Sequence, residues 1–109
     1  MHTGPCPYTA GVAGILIERR LRAVGRRLER LRGELAVTEE QCAHFDDESG
    51  DARLRSLVSE TPLAEADARS AERAASAMRR HQDELLANIV RLEGEQDRLL
   101  DELSARRSR

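Results

Sequence analysis

A chain of 109 residues with one Tyr, one Phe and no Trp lacks the large side chains that fill a globular interior. Charged residues make up 35% of it, yet the formal net charge is only −2. That balance points away from nucleic acid and from an anionic membrane surface, and towards long helices whose buried surface is a seam. All 18 basic residues are Arg, with no Lys. A replacement so complete reads as the codon usage of a high-GC bacterium rather than as local recognition of phosphate.

Residues 1–10 are expected to be disordered or extended, because Gly4, Pro5 and Pro7 oppose regular helix. Cys6 falls in this segment, and no secreted disulfide framework is suggested by it and Cys42 alone. The first twenty residues lack the basic n-region of a signal peptide. The apolar run from Ala10 to Ile17 is too short to span a bilayer, so a cytoplasmic protein without a membrane span is expected.

The remainder, 11–109, reads as a single helical-hairpin domain. Ile17, Leu21, Val24, Leu28, Leu31, Leu35, Thr38, Cys42 and Phe45 alternate at spacings of four and three, the a/d seam of a coiled coil. The spacing predicts a first helix over about 11–48. Ser49-Gly50 is expected to break it, leaving a turn with a short amphipathic helix at 49–61 that carries Leu54, Leu57 and Val58.

Thr61-Pro62 is a helix start, with Thr as N-cap, Pro at the first helical position, and Glu65 and Asp67 complementing the helix dipole. The second helix is predicted over about 62–106. Its seam runs Ala64, Ala68, Ala71, Ala75, Met78, Gln82, Leu85, Ile89, Leu92, Gln96, Leu99 and Leu103. Gln82 and Gln96 at a positions either fix the register or face solvent at its edge.

The fold class is therefore all-α, a long antiparallel helical hairpin. With the turn centred near residue 55, facing residues would have numbers adding to about 110. That register leaves Leu99, Leu100 and Leu103 beyond the first helix, an apolar association surface. The early helix is basic through Arg19, Arg22, Arg26 and Arg30, and the late one acidic through Glu93, Glu95, Asp97, Asp101 and Glu102. Their match is expected between chains, in a homodimer forming a four-helix assembly.

Catalysis finds no support, since phosphate loops, nucleophile elbows and paired His motifs are absent from the sequence. Cys42 and His44 are two residues apart and point to different helix faces, which disfavours a metal site, and no cofactor is implied. Asp46, Asp47, Glu48 and Asp51 form an acidic run at the expected turn without the alternating order of a calcium loop. In outline, such a hairpin is similar to the coiled-coil transcription factors that enter the secondary channel of RNA polymerase. It lacks the second domain or zinc module of those families.

Glu72, Ser76 and Arg79 also resemble the first three positions of the Glu, Ser, Arg, Gln, Asp pattern through which actinobacterial hairpin anti-sigma proteins bind cyclic di-GMP. Here Asp83 and Ala87 stand in the last two places. The expected function is a non-enzymatic coiled-coil interaction module, a scaffold or adaptor that self-associates or binds another helical protein. The alternative is a transcription regulator engaging RNA polymerase or a sigma factor, of anti-sigma-like or acidic-tip type. Nucleic acid is not the expected partner.

Overall fold

The computed structural model describes the backbone of residues 7–108 and the side chains of residues 11–108. Two helices account for nearly all of it: α1 over Pro7–Ser59 and α2 over Pro62–Arg107. They pack as a hairpin, with no strand among the described residues.

Every residue of both predicted stripes is buried or half-buried. Ile17, Val24, Leu28 and Cys42 on α1, and Ala75, Leu85, Ile89, Leu92 and Leu99 on α2, form the deepest part of the seam, joined by Thr38 at 2% exposure. The four-three repeat forces this result, because it returns a side chain to one helix face on each turn.

α1 does not stop at Glu48. It runs through Ser49-Gly50 to Ser59, and its seam continues through half-buried Ser49, buried Ala52 and half-buried Ser56. Gly50 faces outwards and costs helix propensity of about 1 kcal/mol relative to Ala. The small seam residues offset this, since they let the backbones approach where α2 presents Ala64, Ala68 and Ala71. The predicted turn at 49–61 is thus corrected to two residues, Glu60 and Thr61.

Both turn residues are fixed by backbone hydrogen bonding. Glu60 has a positive φ of 51°, and its N–H donates to the Ser56 carbonyl at 3.0 Å, a left-handed cap that ends α1. The Thr61 hydroxyl accepts from the Ala64 N–H at 3.2 Å, the N-cap that the sequence predicts. At the other end, α1 already includes residues 7–10, which were expected to be irregular. Pro7 at the helix start loses no intrahelical bond there. Residues 1–6, Cys6 among them, lie outside the described residues.

The chain divides into two compact units. One consists of Met1–Arg30 with Ile89–Arg109, and contains the ion pairs Arg20–Glu95 and Glu18–Arg107. The other, Leu31–Asn88, contains the turn and the pairs Asp46–Arg79 and Glu34–His81. In both, opposite residues have numbers adding to about 120, the register that follows once α1 extends to Ser59.

Candidate protein-interaction surface

In a two-helix coiled coil, a and d face the partner helix, e and g flank it, and b, c and f face outwards. With Leu21 at a, the flanking positions of α1 behave as this scheme requires. Arg20 at g donates from Nε to Glu95 Oε1 at 3.0 Å. Asp46 at e accepts from Arg79 Nη1 at 2.6 Å, and Glu18 at e accepts from Arg107 Nη2 at 3.3 Å.

The outward positions do not behave like a uniform solvated face. In the first unit Val12, Ile15 and Leu16 occupy f, b and c, and are 37%, 50% and 57% exposed. In the second, Leu54, Leu57 and Val58 hold the same three positions at 64%, 68% and 83% exposure. Three successive outward positions, f of one heptad and b and c of the next, are apolar in each case. Leu63 on the first turn of α2 adds a further exposed apolar side chain beside the hairpin turn. Such a cluster of exposed apolar groups marks a surface that another molecule covers.

The residues proposed from sequence as an association surface are dispersed by the corrected register. Leu99 is 9% exposed, inside the seam of the first unit, and Leu103 is half-buried there. Only Leu100 remains open, at 49%. The burial of Leu99 follows from α1 being longer than expected, which carries the facing position towards Leu21. The basic early helix and acidic late helix meet within the chain, through Arg20–Glu95, so that this match needs no second copy. Arg19 lines an open groove of the first unit together with Leu16, Arg20, Glu95, Arg98 and Glu102. Arg22, Arg26 and Arg30 are exposed on the outward face.

The acidic run is not at the turn. Asp46, Asp47, Glu48 and Asp51 lie on the body of α1, with Leu54, Leu57 and Val58 between them and Glu60. Asp46 is engaged by Arg79, and Glu48 Oε1 lies 3.3 Å from His44 Nε2. Arg79 also donates from Nη2 to Ser76 Oγ at 3.2 Å, so the guanidinium of the cyclic di-GMP-like pattern is held by its own chain.

Cys42 is a buried free thiol. Among the described residues no group of three or more His, Cys, Asp or Glu side chains is arranged to hold a metal ion, and no helix is long and apolar enough to cross a membrane. The i, i+3, i+4 spacing of Leu54, Leu57 and Val58 reads as a separate short helix in the sequence, which conceals their outward cluster on α1. Continuing the first heptad frame past Phe45 places all three outside the seam. No family model, no curated protein and no solved structure matches the chain.

Proposed function

We propose that this chain is a non-enzymatic coiled-coil interaction module, and that it binds helical protein through the outward face of α1. The observation that carries this reading is the exposure of Leu54, Leu57 and Val58 at three successive outward positions, f of one heptad and b and c of the next. A helix face of that composition fits an amphipathic partner helix, which removes the apolar side chains from water at about 25 cal/mol per Å² buried. The seam supplies the rigidity: the backbone that presents these residues is already fixed, so little is lost in ordering it on binding.

The test compares the wild-type chain with the triple substitution Leu54→Gln, Leu57→Gln, Val58→Gln. These side chains face solvent, so the helical circular dichroism signal is expected to be unchanged. Proteins recovered with the wild-type chain from its native host, its own copies included, are expected to be lost from the variant. Equal recovery by both would remove the reading. RNA polymerase subunits or a sigma factor among the lost partners would assign the module to transcription regulation.

A further inference from the structure

The outward positions of α1 in the first unit hold three rows of side chains, and each row begins apolar. Position f carries Val12, Arg19 and Arg26; position b carries Ile15, Arg22 and Glu29; position c carries Leu16, Ala23 and Arg30. The apolar groups therefore come first along the helix, and a basic block follows them on the same face. From Arg19 to Arg30 the block is about 16 Å long.

These arginines differ from those beside the seam. Arg20 and Arg107 are matched by Glu95 and Glu18 of the same unit. Arg19, Arg22, Arg26 and Arg30 are exposed and make no ion pair with any described residue. Glu29 is the one carboxylate among the outward positions from Val12 to Arg30. Four like charges over about three turns raise the potential of the surface, and an opposing set of charges relieves it. At the apolar end Leu16 leads into the open groove of the unit, about 840 Å³ in volume, whose lining includes buried Ile17 and Leu99.

We propose that the outward face of α1 between Val12 and Arg30 is the docking surface for an acidic amphipathic helix of another protein. This inference rests on the interaction-module reading and gives it a second surface, together with the chemistry of the partner. The partner helix presents large apolar side chains to Val12, Ile15 and Leu16, at the mouth of the groove. Asp or Glu side chains on its following turns meet the four arginines, each guanidinium holding a carboxylate through two N–H donors. Apolar burial supplies affinity, and the charges set the direction and register in which the partner lies.

Other occupants fit less well. A bilayer surface is uniform along the helix axis, and a helix lying on it needs apolar side chains over its whole length. Here they end at Leu16. A nucleic-acid backbone matches the arginines but offers nothing to cover Val12, Ile15 and Leu16, and no aromatic side chain is interleaved for stacking. A second copy offers Glu40, Asp47 and Asp51 on its own outward face, but the alignment that covers Leu16 with Leu54 sets Asp47 against Ala23.

A photo-crosslinking residue at exposed Ala23, in the full chain in its native host, tests this. The expected product is a cross-link to a protein segment with large apolar residues at one end and Asp or Glu at four-three spacing after them. That segment, synthesised as a labelled peptide, is expected to bind the purified chain in fluorescence anisotropy. Arg19→Glu, Arg22→Glu and Arg26→Glu together are expected to weaken binding more than about tenfold. A peptide with its acidic residues changed to Arg is expected to bind this reversed form and to lose the wild-type chain. Arg69→Glu, Arg73→Glu and Arg80→Glu, the same charge change on α2 of the second unit, are expected to leave the affinity unchanged. Circular dichroism verifies that each form stays helical.

A cross-link to nucleic acid, to lipid or to a second copy overturns the inference, as does the absence of a cross-linked protein. A peptide that binds the reversed form as tightly as the wild-type chain overturns it too. If any of these occurs while the Leu54, Leu57 and Val58 substitutions still abolish partner recovery, the interaction module stands and only its second surface falls. Loss of both results removes the two readings together.

Discussion

The Arg20 guanidinium donates through Nε to Glu95 Oε1 at 3.0 Å, joining the basic start of α1 to the acidic end of α2 within one chain. The pair defines the register of its unit, and the register buries Leu99. The two residues nevertheless differ in what they contribute. The Arg20 side chain is 67% exposed, so replacing it with Ala is expected to cost less than about 1 kcal/mol. Leu99→Ala removes a buried side chain and is expected to cost about 3 kcal/mol. Urea unfolding followed by circular dichroism measures both; equal costs would refute the placement of Leu99 in the seam.

Glu60 holds a left-handed backbone conformation that residues with a Cβ adopt at a cost. Its N–H completes the cap on α1, so the conformation is needed whichever side chain is present. Glu60→Gly is expected to raise stability by about 0.5–1 kcal/mol, since only glycine takes this geometry without strain. A lower midpoint in thermal unfolding would show that the Glu60 carboxylate has a stabilising contact stronger than the strain relieved.

Thr61 satisfies an N–H of α2 that has no partner within its helix. Thr61→Ala is expected to destabilise the hairpin by about 1 kcal/mol, and Thr61→Ser by much less, because serine keeps the accepting oxygen. Equal losses for Ala and Ser would mean that the Thr61 methyl group, rather than its hydroxyl, carries the effect.

Thr38 is 2% exposed in an otherwise apolar stretch of seam, and the register sets it opposite half-buried Gln82. A polar layer of this kind selects one alignment of the helices at some cost in stability. The double change Thr38→Val, Gln82→Leu is expected to raise stability by about 1 kcal/mol while broadening the set of registers. The first effect appears in the unfolding midpoint, the second in amide exchange along α1 and α2. A stability loss would identify Thr38 and Gln82 as a net stabilising pair.

The charge transitions along α1 were visible in the sequence only in part. Arg19, Arg22, Arg26 and Arg30 stood out as a cluster, and Asp46, Asp47, Glu48 and Asp51 as a run, because each is dense locally. A break at Ser49-Gly50 separates only Asp51 from them, since the other acidic residues share the predicted first helix with the Arg cluster. Glycine and serine are ambiguous signals: the same residues that loosen a turn also allow close approach of helices in a narrow seam. Ala64, Ala68 and Ala71 on the facing helix resolve the ambiguity, and no local reading of residues 49–56 includes them.

The sequence by itself determined most of the seam, all but Ser49, Ala52 and Ser56. Periodicity is a local property of the chain, so Ile17 through Phe45 and Ala64 through Leu103 were legible as two buried stripes, and Thr61-Pro62 as the start of α2. The length of α1 and the register of the hairpin were decided by tertiary structure alone. A heptad pattern is unchanged by a slide of one repeat, so several alignments satisfy the apolar residues equally well. Packing of Ser49, Ala52 and Ser56 beside α2, with the ion pairs of Arg20 and Asp46, selects one of them. That selection buries Leu99 and leaves Leu54, Leu57 and Val58 facing outwards.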